Sequence, residues 1–154
     1  MNIQFKLAIL LAVSLVNLTL LPKAHANLTG DFRVRIEGLK NQKGQVCLSI
    51  FAASQGFPGN SENAIEARCV KATQTPMTVN FSNLQAGNYA VAVIHDVNED
   101  NTLNRNALGI PTEGFGFSNN PEILTGPPKF DESSIFVTGS NTDIQVQLRY
   151  FLGS

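Results

Sequence analysis

The sequence lacks a strong excess of charge of either sign. Its 154 residues carry 11 Lys and Arg against 12 Asp and Glu, which gives a net charge of −1. The first 26 residues, which are expected to be cleaved off, hold Lys6 and Lys23 and no acidic residue. Without them the chain has 9 basic residues instead of 11, and its net charge is −3. Nucleic acids and anionic membranes are bound through basic surfaces. We therefore expect neither of them as a partner.

Cysteine is scarce, and the C-x-x-C motif is absent. Cys47 and Cys69 are the only two cysteines, so the spacing of a redox-active pair does not occur. An even number of cysteines in an exported chain favours a disulfide. Such a bond would stabilise the domain by roughly 3 kcal/mol, by restricting the unfolded chain. The alternative is a pair of buried free thiols.

Histidine is also scarce, and several catalytic motifs are missing. Only His25 and His95 are present, and His25 lies in the N-terminal segment, so a zinc site would lack ligands. The sequence contains no G-x-S-x-G turn, no phosphate-binding loop and no dinucleotide-binding G-x-G-x-x-G motif. These absences argue against the enzyme classes that depend on those motifs.

The first 26 residues have the features of a secretory signal peptide. Lys6 precedes an apolar run at 7–16, and Ala24 and Ala26 mark a cleavage site. A membrane anchor would need about 20 mainly apolar residues, and no cysteine is present near the cleavage site for a lipid anchor. We therefore expect residues 27–154 to form one exported domain, periplasmic or extracellular, without a stable membrane anchor.

The rest of the chain shows the alternation typical of strands. Phe32, Val34 and Ile36 alternate with charged residues, and the segment VCLSIF at 46–51 is apolar on both faces, like a central strand. About seven such segments occur, without a convincing amphipathic helix. They predict an all-β fold, an antiparallel β-sandwich of immunoglobulin or transthyretin type, with a closed barrel as the alternative.

Residues 95–133 depart from this pattern. Irregular segments longer than about 12–15 residues are uncommon in compact domains and are usually functional or disordered. Disorder fits poorly, because this segment has many apolar residues that would remain in water. They are Leu103, Leu108, Ile110, Phe115, Phe117, Ile123, Leu124 and Phe130. We predict a long ordered loop excursion folded over one end of the sandwich.

The start of this excursion is similar to a calcium-binding loop. Asp96, Asn98 and Asp100 alternate as the first three ligands of an EF-hand loop do. The sixth position is Asn101 instead of glycine, and the twelfth is alanine instead of glutamate. The alternative is a turn in which Asn and Asp side chains accept backbone N–H groups. If a cation binds, Glu113 is a further candidate ligand.

His95 is the first candidate for catalysis, with Asp96, Glu113 or Ser118 as candidate partners. On a strand, His95 and Asp96 point to opposite faces, so they are not aligned in advance as a pair. The alternative for His95 is a structural role, in which its ring nitrogens bond to loop carbonyls at the rim of the sandwich.

Aromatic residues add a candidate binding surface. Phe115 and Phe117 alternate with glycine, which lets the rings pack while the backbone turns; they could line a ligand groove or belong to the core. The candidate ligand-binding residues are His95, Asp96, Glu113, Phe115, Phe117 and Asn119.

The chain carries a series of motifs: Leu84, Gly87 and Tyr89, then His95 and Asp96, then GIPTEGFGFSNN at 109–120 and GPPKF at 126–130. Their order closely resembles a family of bacterial exported proteins known as domain of unknown function 2141. The resemblance covers most of residues 28–151 and implies an exported β-rich domain, without implying a reaction. The sequence departs from the family where Asn101 and Asn104 replace a glycine and an aspartate.

Together these features predict a non-enzymatic exported β-sandwich that binds a ligand or an envelope protein through the 95–133 loop. Two alternatives stay open: a calcium-stabilised structural module, and a hydrolase-type enzyme centred on His95. No cofactor other than calcium is expected.

Overall fold

The computed structural model describes residues 28–151, so the predicted signal peptide lies outside the described residues. This part of the chain contains eight strands, a 3-10 turn at Ser61–Asn63 and one turn of α-helix, α1, at Phe130–Ser133. The strands are β1 (Thr29–Glu37), β2 (Gln45–Phe51), β3 (Glu66–Lys71), β4 (Met77–Gln85), β5 (Gly87–Asp96), β6 (Gly114–Phe117), β7 (Ser134–Val137) and β8 (Thr142–Gln147).

The strands form two sheets. The three-stranded sheet has the order β4-β1-β8, and the five-stranded sheet has the order β3-β2-β5-β6, with β7 also paired to β5. β8 runs parallel to β1, whereas the other pairings among these strands are antiparallel. The predicted all-β sandwich is confirmed, with one parallel pair in it. In residues 28–151, no helix has the length and apolar character needed to cross a membrane.

The structure has eight strands where the sequence predicts about seven, and the additional strand, β6, lies inside the predicted loop excursion. Its sequence is GFGF, and glycine ordinarily weakens a strand. Here a Cβ atom at Gly114 would collide with the ring of Tyr150, and one at Gly116 would lie 2.7 Å from Cγ1 of Val146. The two glycines therefore let β6 approach the C-terminal segment closely, and the excursion is interrupted by a strand.

The space between the sheets is filled by alternate residues of the strands. Phe32, Val34 and Ile36 of β1 are fully buried, and so are Val91 and Val93 of β5. Alternate residues of a strand share a face, so the period of two in β1 corresponds to its buried side. Complete burial of such a side chain contributes about 1.5–3 kcal/mol to folding. The five-stranded sheet is therefore packed against this core on one side, and its other side is free to carry the connecting segments.

A second apolar cluster lies on that outer face. Its buried members are Phe51, Ala92, Phe115 and Phe117, and residues from both long connections pack against them. The excursion therefore lies along the outer face of the five-stranded sheet, which corrects the expectation that it folds over one end of the sandwich. Burial on two faces also explains why the β2 sequence is apolar at nearly every position. The connecting residues are Phe57, Ala64, Leu103, Ile123 and Phe130.

Cys47 and Cys69 form the predicted disulfide. They are directly opposed on β2 and β3, with their Cα atoms 4.0 Å apart. The bond joins the edge strand β3 to its neighbour, and residues 28–151 contain no free cysteine.

Candidate functional site

The outer face of the five-stranded sheet carries a cavity of about 790 Å³. Its floor consists of two rows of side chains that run across the strands, because the register places every second residue of each strand side by side. One row contains only small residues before it reaches an aromatic ring, and the other is formed by the disulfide and two apolar side chains. The first row is Ala67, Ser49, Ala92 and Phe117. The second row is Cys69, Cys47, Ile94 and Phe115.

Two connections form the walls of this cavity. Residues 58–62, between β2 and β3, form one wall, and residues 101–111 and 123–127 of the excursion line the remainder. Phe57 fixes the first wall, because its ring contacts Phe117 and Phe130 edge-on with centroids 6.0 Å away in both cases. At the mouth, Leu124 is 79% exposed and Phe151 is 50% exposed. The floor and part of the rim are therefore apolar, while polar residues such as Asn60 and Thr102 contribute to the walls.

Asp96 holds the first part of the excursion. Its carboxylate is fully buried and accepts hydrogen bonds from the backbone N–H groups of Asp100, at 3.1 Å, and Asn101, at 2.8 Å. It also accepts one from the Gln45 side chain at 2.8 Å. Hydrogen bonds to an ionised carboxylate are stronger than those between neutral groups. Asp96 therefore binds the loop back onto β2.

Glu113 has a similar role at the other end of the same loop. One carboxylate oxygen accepts from the Val97 N–H at 2.8 Å, and the other accepts from the Asn104 N–H at 3.0 Å. The side chain is buried, with 7% of its surface exposed. Glu113 therefore joins the start of the excursion to the residues just before β6.

Asp100 organises the exposed turn between these two anchors. It accepts hydrogen bonds from both the hydroxyl and the N–H of Thr102, at 2.7 and 2.9 Å, and from the amides of Asn104 and Asn98, at 2.9 and 2.8 Å. These bonds hold the pKa of the Asp100 carboxyl well below its usual range, and the bond from the Thr102 side chain has the largest effect. Within residues 28–151, no group of three His, Cys, Asp or Glu side chains is placed to hold a metal ion. Asp96, Asn98 and Asp100 thus already have structural roles in the turn through their hydrogen bonds.

Asn101 connects this turn to the disulfide. Its φ of 64° lies in the left-handed region, which asparagine tolerates better than most residues other than glycine. Its Oδ1 accepts a hydrogen bond from Gln45 at 3.0 Å and contacts Sγ of Cys69 at 3.4 Å. The asparagine thus adopts a conformation suited to glycine, and adds a side chain beside the cavity floor.

His95 is fully buried and bonds to two other segments of the chain. Its Nε2 lies 2.9 Å from the Lys43 carbonyl, and its Nδ1 lies 2.8 Å from the Tyr150 hydroxyl. A carbonyl can only accept, so Nε2 carries the proton and Nδ1 accepts from Tyr150. Burial raises the pKa of Tyr150, which keeps its hydroxyl protonated for this bond. In this arrangement His95 joins β5, the β1–β2 turn and the C-terminal segment.

Ser118 lies far from this histidine. Its Oγ accepts from the Val91 N–H at 2.8 Å and donates to the Ser133 carbonyl. Val91 and His95 are four residues apart on β5, which corresponds to about 13 Å along a strand. Among the hydrogen bonds of residues 28–151, none joins His95 to Ser118 or to a carboxylate. The structure therefore does not bring the candidate catalytic residues together.

Comparison with known proteins places this fold in a family. A family model described as an uncharacterised protein conserved in bacteria, DUF2141, matches residues 34–145. The chain belongs to this family. The resemblance inferred from the sequence motifs is thus confirmed, and the match runs from β1 to β8. No curated protein and no solved structure matches the chain.

In this DUF2141 domain, the candidate ligand-binding residues separate into two groups. Phe115 and Phe117 line the cavity, whereas His95, Asp96 and Glu113 make the internal hydrogen bonds described above and do not line it. Asn119 also lies elsewhere, because its side-chain amide donates to the Ser134 carbonyl at 2.7 Å and supports β7.

Sequence reasoning missed the small residues of the floor. Ala67, Ser49 and Ala92 come from three strands, and only the strand register shows that they form one row. A partial signal exists in YAVAVIHD, where Ala90 and Ala92 alternate with Val91 and Val93. The valines fill the core, and the alanines leave space on the opposite face.

Proposed function

We propose that this protein is an exported, non-enzymatic binding domain whose outer cavity takes a largely apolar small molecule. The observation that carries the proposal is the floor of the cavity, where Ala67, Ser49 and Ala92 leave a recess beside Phe115 and Phe117. Its volume of about 790 Å³ falls within the range of roughly 300–1,000 Å³ typical of small-molecule sites. A recess of this kind favours a small molecule over an envelope protein as the partner.

The excursion has a defined part in this proposal. Leu103, Ile110 and Ile123 of the excursion line the cavity, while Asp96 and Glu113 hold the first of these residues in place by hydrogen bonds to the backbone. The polar groups therefore shape the site, and the apolar groups contact the ligand. Preorganised walls reduce the ordering cost of binding.

Export is the second element of the proposal. The signal-like N-terminal 26 residues and the disulfide both support it, because disulfides persist in oxidising compartments. The cavity would then meet its ligand in a periplasm or outside the cell.

A binding titration with Nile red, a neutral apolar dye, tests the proposed cavity. Ala67→Phe places an aromatic ring into the recess from the exposed edge strand β3. Ser82→Phe is the matched control, because Ser82 is exposed on β4 in the other sheet. We expect saturable binding by the wild type and by Ser82→Phe, and binding weakened at least about tenfold by Ala67→Phe, since the ring occupies the ligand's space.

Thermal unfolding of the three proteins serves as the check on folding. Ala67→Phe is expected to keep a midpoint within a few degrees of the wild type, because exposed substitutions usually change stability by less than about 0.5 kcal/mol. Equal binding by all three proteins, or no saturable binding by the wild type, would contradict the proposal.

A further inference from the structure

We propose that the ligand is an amphipathic carboxylic acid, with its apolar body on the cavity floor and its carboxylate at Arg105. This inference rests on the proposed binding function and adds the chemical class of the ligand. It depends on a second observation, the presence of a cation without an acidic partner at the rim of an apolar cavity.

Arg105 is exposed and lies at that rim. One guanidinium nitrogen, Nη1, donates to the Gly109 carbonyl at 2.9 Å, and the backbone forms a bridge with Pro111. All three of these residues line the cavity. Gly109 has open space beside it, since a Cβ atom there would meet nothing within 4 Å. The side chain is therefore held next to an open approach, with further N–H groups left to donate.

Three other arginines of the domain are paired with carboxylates, whereas Arg149 donates to the Asn120 carbonyl at 3.2 Å and does not line the cavity. Arg33 lies 2.6 Å from Asp143, Arg35 lies 2.8 Å from Glu37, and Arg68 lies 2.9 Å from Glu66. Within residues 28–151, no such ion pair involves Arg105. An arginine presents a planar fork of N–H donors that matches the two oxygens of a carboxylate. Arg105 is thus placed to bind an acidic group that the ligand brings.

The charge distribution around the cavity also sets the direction of the ligand. Glu62 is the acidic residue of the lining, and it belongs to the connection that leaves β2 after Phe51. The excursion leaves β5 after Asp96, and Phe51 is paired with Ala90 at the other end of β5. Six residues of strand, about 20 Å, separate these two departure points. The connections that carry Arg105 and Glu62 thus leave the sheet at opposite ends, and in the proposed orientation the carboxylate lies on the Arg105 side and the apolar tail extends toward the Glu62 side.

Displacement of Nile red by dodecanoate and by dodecanol tests this assignment. The two compounds share an apolar chain, and only dodecanoate carries a charge. We expect the wild type to bind dodecanoate more tightly than dodecanol. Arg105→Gln should weaken dodecanoate binding about tenfold, because a hydrogen bond to a charged group is lost, and should leave dodecanol binding within about twofold. Arg35→Gln removes a positive charge from the other sheet and should change neither affinity.

Arg105→Lys provides a second variant that keeps the charge. Arg105→Lys should retain the preference for dodecanoate. It keeps the test valid if the loss of the bond to Gly109 lowers the unfolding midpoint of Arg105→Gln. Equal affinities for dodecanoate and dodecanol in the wild type, unchanged in Arg105→Gln, would overturn the carboxylate assignment and leave the cavity proposal standing. Failure of both compounds to displace bound dye would also overturn it. Failure of Nile red itself to bind would overturn both proposals.

Discussion

Ser49 and Ala67 are directly opposed on β2 and β3, and both lie in the floor of the outer cavity. Ala92 on β5 continues the same row, since it is paired with Ser49 on the other side. Three small side chains in adjacent strands leave a recess that three larger apolar residues would fill. The proposed binding site of this DUF2141 domain is therefore defined by side chains that are small, and its conspicuous polar residues support it from outside.

Replacement of Asp96 should loosen the excursion. Asp96→Ala removes the acceptor of two backbone N–H groups and of the Gln45 amide, so we expect a loss of about 2–4 kcal/mol in the free energy of unfolding. Asp143→Ala is the control, because Asp143 is an exposed partner of Arg33 and such pairs contribute about 0–1 kcal/mol. Urea denaturation measures both values. Equal effects of the two substitutions would contradict the role of Asp96 as a loop anchor.

The buried pair of His95 and Tyr150 should act on stability. Tyr150→Phe leaves Nδ1 of His95 and the Lys40 N–H without their partner, and we expect a cost of about 1–3 kcal/mol. His95→Ala should lower stability further, because it also leaves a cavity. A broad screen of ester, peptide and phosphate hydrolysis accompanies the stability measurement. A specific turnover that disappears in His95→Ala with an unchanged melting temperature would support the hydrolase alternative instead.

Calcium should leave the stability of the domain unchanged. The oxygens of Asp96 and Asp100 already accept hydrogen bonds from the loop, and these bonds hold the turn without a cation. Thermal unfolding in the presence of millimolar calcium and of a chelator should give the same midpoint. A ligand that binds only the native state raises the midpoint, so a calcium-dependent increase of several degrees would establish the calcium-stabilised alternative.

Asp100 should make the turn sensitive to acid. Its pKa is lower in the folded protein than in the unfolded chain, where an aspartate titrates near 3.9. Its stabilising effect is therefore fully present above about pH 4 and is lost as the pH falls toward the folded pKa. The difference in unfolding midpoint between the wild type and Asp100→Asn should be largest at neutral pH and should shrink below about pH 4. A difference that grows on acidification would contradict this assignment.

The strand pattern predicts most of the fold, because alternation and burial are properties of short segments. The period of two in β1 and the apolar sequence of β2 correspond to one and two buried faces. The strand β6 is not predicted from the sequence, because glycine is ordinarily unfavourable in strands. Only the close approach of Tyr150 and Val146 explains why Gly114 and Gly116 are required there. This strand forms because two segments that are distant in the sequence approach closely, and the local sequence alone does not predict such a contact.

The cavity is harder to predict for a related reason. Ala67, Ser49 and Ala92 lie far from one another in the sequence, and each is an ordinary strand residue by itself. Their importance comes from the strand register alone. Asp96 and Glu113 attract attention in the sequence because they are acidic residues in a long irregular segment, but their oxygens face backbone N–H groups. Residue type alone does not separate a group that holds a loop from one that contacts a ligand.

Nuclear magnetic resonance with ¹⁵N-labelled protein of residues 27–154 tests the central claim most directly. Addition of dodecanoate should shift the backbone amide signals of the floor strands near 47–49, 67–69, 92–94 and 115–117, together with those of 103–111. Amides of the outer surface of β4, such as that of Ser82, should not move. Shifts confined to the three-stranded sheet, or saturable binding without any change in the floor strands, would contradict the account.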